Sequence, residues 1–295
     1  MKFNKTFNIG GSMEVNRLGF GAMRITGKGI WGPPENKSEA LQVLKRAIEL
    51  GVNFIDTADS YGPYVSEELI AEALYPYPKE LVIGTKAGLV RSGPDKWSPD
   101  ASPAHLKISL EGSLKRLKLD AIDLYQLHRI DTKVPAEDTF TFLQKAQQEG
   151  KVKHIGLSEV SVDDIKKAQK FFKVVSVQNM YSIDNRKWES VLEYCNANNI
   201  AFIPWFPMGG GKTNNLEPLV KKIATKHNAT IHQIALSWLL HHSNNILLIP
   251  GTSSVSHLEE NMKSATIELT DADMKELDSF SGNNKSWLGK LLGKK

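Results

Sequence analysis

The sequence predicts a single-domain (β/α)8 barrel. Short apolar strands alternate with amphipathic helices about eight times between residues 18 and 249, a pattern typical of parallel α/β folds. The length of 295 residues suits such a barrel, which needs about 250 residues, and leaves room for extra elements at both ends. An open doubly wound sheet is the alternative. It is disfavoured because Gly19-x-Gly21 lacks the third glycine of the dinucleotide fingerprint.

The elements can be predicted in order along the chain. Apolar residues around Gly10-Gly11-Ser12 predict a β-hairpin, which we expect to close the bottom of the barrel. Apolar runs predict strands over residues 18–23, 52–56, 81–86, 122–127, 154–157, 174–177, 200–204 and 246–249. Helical spacing of apolar residues predicts helices over 40–50, 66–74, 103–117, 136–149, 162–172, 187–198, 216–226 and 230–241. Residues 281–295 are expected to form a C-terminal tail.

Composition excludes several classes of protein. The net charge of +4 is small and the lysines are scattered, which argues against nucleic acid as a partner. Cys195 is the only cysteine, so an internal disulfide is excluded, and no Cys/His cluster has metal-ligand spacing. The N-terminus lacks the apolar core of a signal peptide, and no run of about 18 apolar residues occurs. We therefore expect a cytoplasmic protein without metal or membrane, a monomer or small homo-oligomer, acting on a small molecule.

Four ionisable residues follow or end consecutive predicted strands. Asp56 ends the second strand, Lys86 the third, and His128 follows the fourth, while Tyr61 lies on the loop after Asp56. Each alone has an ordinary structural explanation, such as a helix cap or an exposed lysine. Together they indicate an active site, because ligands bind at the C-terminal ends of the strands in such barrels.

These residues carry a resemblance to a known family. Asp56-x4-Tyr61, Gly84-Thr85-Lys86, Leu127-His128 and the run 155–158 resemble the aldo-keto reductases, which are NAD(P)H-dependent (β/α)8 barrels without a metal. The resemblance covers nearly the whole chain. Segments 31–34, 74–77, 152–156 and 246–255 are most similar to the bacterial pyridoxal reductase-like branch. The implied activity is reduction of an aldehyde or ketone, with pyridoxal as a candidate substrate.

The resemblance implies a role for each of the four residues. Tyr61 would be the general acid, Lys86 would lower the pKa of that phenol, and Asp56 would support the lysine. His128 would orient the substrate carbonyl as a neutral imidazole. This assignment is chemically consistent, because a free tyrosine with a pKa of about 10 is a poor proton donor at neutral pH.

The resemblance also implies the cofactor site. The expected cofactor-binding residues are Gly21, Met23, Ser158, Gln178, Trp205, Phe206, Pro207, Met208, Gly209, Lys212, Thr252, Ser254, His257, Glu260 and Asn261. Among them, Ser158 and Gln178 would hold the nicotinamide carboxamide, and Trp205 would stack on the ring. Glu159 stands where many members have asparagine. Family members often have a lysine and an arginine that bind the 2′-phosphate of NADP. At those positions this chain has Gly251 and His257. NADPH is the expected cofactor and NADH stays open.

Three further residues are expected to line the substrate pocket, namely Trp31, Trp97 and Arg129. Arg91 and Arg129 together indicate an anionic group on the substrate.

Two other functions are weighed. A catalytically weak cofactor-binding regulator or redox sensor on the same fold is disfavoured by the complete set of four residues. A metal-dependent hydrolase using Asp56, His128 and His154 is disfavoured by the absence of ligand clusters.

Overall fold

The computed structural model of the protein describes residues 3–207 and 217–279. Seven parallel strands form one curved sheet, in the order β3, β4, β5, β8, β9, β10, β11. In chain order, the strands are β1 (Thr6–Ile9), β2 (Met13–Asn16), β3 (Phe20–Gly21), β4 (Phe54–Asp56), β5 (Val82–Ala87), β6 (Leu89–Gly93), β7 (Lys96–Pro99), β8 (Ile122–Leu127), β9 (Val152–Ser158), β10 (Val174–Gln178) and β11 (Ala201–Phe202).

Segment 246–249 closes this sheet into a barrel. Its backbone forms parallel bridges with both edges, Leu18 to Leu248 and Phe202 to Ile246. The Gly19 amide donates to the Leu248 carbonyl over 2.8 Å. The predicted eighth strand is present only as isolated bridges. Its neighbours β3 and β11 are each only two residues long, so a longer ladder cannot form. The (β/α)8 architecture expected from the sequence is confirmed.

Helices surround the sheet. They are α1 (Lys37–Glu49), α2 (Val65–Leu74), α3 (Pro103–Leu117), α4 (Ala136–Gln148), α5 (Val162–Ala168), α6 (Glu189–Ala197), α7 (Glu217–Lys226), α8 (Ile231–His242), α9 (Val255–Lys263) and α10 (Asp271–Ser279). Their starts follow the local sequence, since Asn36 and Ser102 accept hydrogen bonds from the third backbone amide beyond them. Reciprocal capping boxes begin α5 at Ser161 and α8 at Thr230. None of these described helices combines the length and apolar character that crossing a bilayer needs.

The N-terminal hairpin of β1 and β2 lies at the bottom of the barrel, as expected. Its residues Ile9 and Val15 are fully buried and belong to an interior cluster with Phe54, Val82 and Leu124, which lie in strands of the barrel wall. The hairpin therefore covers the barrel end opposite to the C-terminal ends of the strands.

Three local differences from the sequence expectation occur. Helix α5 ends at Ala168, four residues earlier than predicted. Strands β6 and β7 form a separate antiparallel hairpin where a loop was expected, and α10 was not predicted. The expected tail over 281–295 lies outside the described residues. A single domain over 1–295 stays a prediction.

Candidate active site

The four residues at the strand ends converge. The Lys86 Nζ atom donates hydrogen bonds to Asp56 Oδ1 over 2.6 Å, to the Thr57 carbonyl over 2.7 Å and to Tyr61 Oη over 3.3 Å. The rings of Tyr61 and His128 meet edge to face, with centroids 5.9 Å apart. Asp56, Tyr61, Lys86 and His128 are all buried among the residues described. The sequence thus correctly groups these four side chains at one end of the barrel.

A buried hydrogen-bond network fixes the Asp56 carboxylate. While Oδ1 accepts from Lys86, Oδ2 accepts from Gln126 Nε2 over 3.0 Å and from Gln178 Nε2 over 2.9 Å. Sequence reasoning missed Gln126. The signal was available, because a polar residue two positions before His128 in an apolar strand lies on the same inward face. Asp56 is consequently a fully bonded support for Lys86.

The pKa values of the central pair follow from burial and mutual charge. Burial raises the pKa of Tyr61 above its ordinary value, and the nearby Lys86 ammonium opposes this rise without cancelling it. Lys86 therefore lowers the phenol pKa, as expected, but burial of the hydroxyl outweighs this effect and the net shift is upward. For Lys86, burial lowers the pKa, but the charges of Asp56 and Tyr61 and their hydrogen bonds outweigh it, so this pKa lies above its ordinary value. Both groups hold their protons at neutral pH.

His128 is held in the neutral form. Burial, followed by the charges of Lys86 and Arg129, places the pKa of its imidazole well below the ordinary value. Its Nδ1 lies 3.4 Å from the Ser60 hydroxyl, within hydrogen-bond distance. A neutral imidazole can donate one N–H to a substrate oxygen without adding a positive charge to the site.

A cavity of about 810 Å³ opens onto this end of the barrel. Asp56, Tyr61 and His128 line it, together with seven residues predicted to bind the cofactor, namely Gly21, Met23, Ser158, Gln178, Trp205, Phe206 and Pro207. The size and the mixed polar and apolar lining are typical of a small-molecule site.

One wall of the cavity is formed by Trp205, whose indole is held by Glu159. The indole Nε1 donates to Glu159 Oε1 over 2.7 Å, and the same oxygen accepts from the Met180 amide over 2.5 Å. Glu159 has a positive φ of 54°, an unusual conformation for a glutamate. Its carboxylate therefore ties together the segments that follow β9, β10 and β11.

Other predicted cofactor residues are not brought to the cavity. Thr252, Ser254, His257, Glu260 and Asn261 are absent from its lining, and the Glu260 carboxylate instead accepts a hydrogen bond from the Thr230 hydroxyl over 2.8 Å. The residues that line the cavity at this point are instead Pro250, Gly251, Arg24 and His232. Met208, Gly209 and Lys212 lie outside the described residues.

Two of the three expected substrate-pocket residues line the cavity. Trp97 lies edge-on to Tyr61 and His128, with centroid distances of 6.4 and 6.5 Å, and Arg129 is adjacent. Trp31 is not among the lining residues: it is 37% exposed and its indole lies against the Arg91 guanidinium, so its role in the substrate pocket stays a prediction. The Gly32 amide donates a hydrogen bond to the Gly62 carbonyl over 2.6 Å, which holds this loop against the segment after Tyr61.

Arg91 is a structural clamp and does not face an anion. Its guanidinium donates to five backbone carbonyls, those of Gly29, Ile30, Ser60, Gly93 and Lys96. It also lies 3.5 Å above the centre of the Trp97 ring. Arg91 therefore fixes the β6–β7 hairpin, and with it Trp97, against the loop that contains Tyr61. The suggestion that Arg91 binds an anionic group is wrong.

The metal-site alternative is not supported by the geometry. His154 lies near the barrel bottom, where its Nε2 is 2.8 Å from the Ser12 hydroxyl of the N-terminal hairpin. It therefore faces the N-terminal hairpin and not the end of the barrel where Asp56 and His128 lie. Within residues 3–207 and 217–279, no three His, Cys, Asp or Glu side chains are grouped to hold a metal ion.

Comparisons with known proteins agree with this site. The model of the aldo/keto reductase family matches residues 17–281. An uncharacterized oxidoreductase of Schizosaccharomyces pombe is 52% identical, covering 91% of this chain and 87% of its own. Pyridoxine 4-dehydrogenase of Escherichia coli is 43% identical, covering 94% and 99%. The crystal structure of a thermostable aldo-keto reductase superposes with a TM-score of 0.82 and 31% identity, covering 93% and 99%.

Fold, site and comparisons together define the protein as an NAD(P)H-dependent oxidoreductase. The chain belongs to the aldo/keto reductase family. Its identity to the Escherichia coli enzyme also confirms the expected similarity to the pyridoxal reductase-like branch.

Proposed function

We propose that this protein uses NADPH to reduce the carbonyl group of an aldehyde or ketone, with Tyr61 as the proton donor. The observation that carries the proposal is the position of the Tyr61 hydroxyl, 3.3 Å from the Lys86 ammonium and on the wall of the cavity. Lys86 is in turn bonded to Asp56. A buried phenol with a cation beside it is suited to general acid catalysis.

The residues of the cavity fit a nicotinamide dinucleotide. The Trp205 indole offers a flat apolar face fixed by Glu159, and the Ser158 hydroxyl and Gln178 amide lie on the same cavity wall. When bound there, NADPH would supply the hydride. The choice of NADPH over NADH is supported by the cofactor use of the family. Gly251 and His257 do not add to this support, because they offer a weaker basic clamp than a lysine and an arginine would.

The chain's own groups supply the proton and the charge stabilisation. Tyr61 keeps its proton at neutral pH and can transfer it to the carbonyl oxygen, and the Lys86 ammonium then stabilises the phenolate that remains. Asp56 keeps Lys86 charged and oriented. Neutral His128 donates a hydrogen bond to the same carbonyl oxygen and so orients the substrate.

Pyridoxal is the first candidate substrate. The 43% identity to pyridoxine 4-dehydrogenase supports it, and so does the aromatic wall that Trp97 forms beside Tyr61 and His128. A planar aromatic aldehyde could pack against this indole while its carbonyl reaches both proton donors.

The variant Tyr61→Phe tests the proposal. We expect turnover of pyridoxal, methylglyoxal and benzaldehyde to fall by roughly 10²- to 10⁴-fold, because the proton donor is lost. Binding of NADPH, followed by fluorescence titration, should be retained. Tyr64→Phe is the matched control, since Tyr64 lies three residues further on, is 48% exposed and packs on Arg116. Normal turnover by Tyr61→Phe would refute the proposed role.

A further inference from the structure

We propose that Arg129 binds an anionic oxygen of the substrate, and that the natural substrates are carbonyl compounds with such an oxygen close to the carbonyl carbon. This inference rests on the proposed function and narrows its substrate class. Examples of the chemistry are a 2-oxo acid, or an aromatic aldehyde with a phenolate oxygen in the ortho position.

The hydrogen bonds of Arg129 leave donors available. Its Nη1 donates to the His128 carbonyl over 2.6 Å and to the Ser158 hydroxyl over 2.9 Å, and the guanidinium lies 5.7 Å from the centre of the Trp205 ring. Its Nε and Nη2 donate to none of the described residues. The side chain is half-buried and lines the cavity. Two donor groups of a fixed guanidinium thus remain for a ligand.

Arg129 forms no ion pair within the described part of the chain, although the charge of Glu159 acts on it from beyond ion-pair distance. No carboxylate lies within ion-pair distance of it. Asp56 is paired with Lys86, the nearby Glu159 has one oxygen engaged by two N–H donors, and Asp95 is exposed on the β6–β7 turn. A partly buried cation without a partner in a binding cavity favours an anionic ligand, because an ion pair would recover part of its lost hydration.

The bound anion must lie near the reacting carbonyl. Arg129 directly follows His128, its Nη1 donates to the His128 carbonyl over 2.6 Å, and Arg129 lines the same cavity as His128 and Tyr61. A carbonyl oxygen bonded to those two residues therefore places only the neighbouring atoms of the substrate within reach of Arg129. The ring hydroxyl next to the aldehyde of pyridoxal satisfies this condition, and so does the carboxylate of a 2-oxo acid.

Positional isomers of one aldehyde test the inference. We would measure kcat/KM with NADPH for benzaldehyde and for its 2-, 3- and 4-carboxy derivatives. Because a hydrogen bond to a charged group contributes about 1.5–3 kcal/mol, the wild type should prefer the 2-carboxy isomer over benzaldehyde by roughly 10- to 100-fold. In Arg129→Gln this ratio should fall close to one, and Arg129→Lys should retain part of it.

Arg24→Gln is the control, because Arg24 also lines the cavity but lies against Gly251 and is exposed. The isomer preference should survive in this variant. A wild type without preference for the 2-carboxy isomer, or an unchanged ratio in Arg129→Gln, would overturn the inference. An equal loss for all four aldehydes together with weaker NADPH binding would also overturn it, since Arg129 would then serve the cofactor.

A binding measurement separates this inference from the proposed function. Calorimetry on the cofactor-free protein would compare 2-(hydroxymethyl)benzoate with benzyl alcohol. The wild type should bind the anion at least about tenfold more tightly, and Arg129→Gln should not distinguish the two. Equal affinities in the wild type contradict the role of Arg129, whereas absence of any reductase activity contradicts the proposed function alone.

Discussion

Asp56 connects the residues proposed for proton transfer with Gln178, which is predicted to bind the cofactor. One carboxylate oxygen accepts from Lys86 and the other from both Gln126 and Gln178. A change at Asp56 would therefore affect stability, proton transfer and cofactor binding together. Kinetic measurements alone cannot assign the effect to one of these.

Removing one member of the Asp56–Lys86 pair is expected to destabilise the fold. Asp56→Asn leaves the Lys86 ammonium buried without a counter-charge, which costs about 3–5 kcal/mol. Urea unfolding of Asp56→Asn, Lys86→Met and the double variant would measure this cost. The double variant should lose clearly less stability than the sum of the two single variants. Strictly additive losses would show that the pair is not coupled.

The residues of the candidate site were predictable where they follow a strand directly. Asp56, Lys86 and His128 stand at the ends of apolar runs, and the barrel brings those ends together. The position of Trp31 outside the cavity lining could not be predicted, because it depends on the long-range hydrogen bonds of a loop, which local sequence does not encode. Gln126 was missed because a single glutamine in a strand gives a weak signal.

At the scale of elements, the β6–β7 hairpin forms the part of the cavity wall that we propose to contact the substrate. Its strands pair only with each other, and Trp97 on β7 forms the aromatic wall beside Tyr61. The clamp of Arg91 on five carbonyls holds this hairpin in place. Three of these carbonyls, those of Gly29, Ile30 and Ser60, lie outside the hairpin, and the Asp95 amide adds a backbone hydrogen bond to Gly29 over 3.0 Å. The position of the wall thus depends in part on one side chain.

Arg91→Ala is expected to loosen the hairpin. The lost hydrogen bonds come from a charged donor and contribute about 1.5–3 kcal/mol, so amide hydrogen exchange in segment 89–99 should accelerate roughly 10- to 100-fold. The KM for aromatic aldehydes should rise as well, because Trp97 loses its fixed position. Lys96→Ala is the control on the same hairpin, since Arg91 uses only the Lys96 carbonyl. Unchanged exchange in Arg91→Ala would contradict the clamp.

The elements of the barrel wall were more predictable than the hairpin. Strand β8 was predicted residue for residue, because Ile122–Leu127 is a compact apolar run after a helix end. Segment 89–99 contains Arg91, Gly93, Pro94, Asp95 and Lys96, which mask any strand alternation. Its conformation is determined by tertiary contacts with Arg91, and such contacts are invisible in local patterns.

At the scale of the whole molecule, Arg17 joins the two edges of the barrel. Its side chain is fully buried and donates to the carbonyls of Ile246, Leu240, Asn4 and Ser243. The Arg17 carbonyl also accepts the Leu248 amide over 2.8 Å. Closure of the short eighth segment thus relies on a side chain in addition to the backbone.

Arg17→Met is therefore expected to destabilise the whole barrel. It leaves several buried carbonyls without a donor, which should cost roughly 3–5 kcal/mol and lower Tm by about 5–8 °C. Thermal unfolding followed by circular dichroism would measure this. Arg17→Lys should be intermediate, and Arg46→Met, on the partly exposed surface of α1, should cost less than about 1 kcal/mol. A Tm near that of the wild type would contradict the closing role.

The hairpin has a consequence for how such a barrel diversifies. Only Ala87 and Gly88 separate Lys86 from β6, and the hairpin contributes no hydrogen-bonded strand to the barrel sheet. Exchanging this segment for one of different shape would give the enzyme a new substrate repertoire while the catalytic machinery stays intact. The part of the proposed selectivity that depends on Trp97 is thus a modular property, carried by a short insert next to the four proposed catalytic residues.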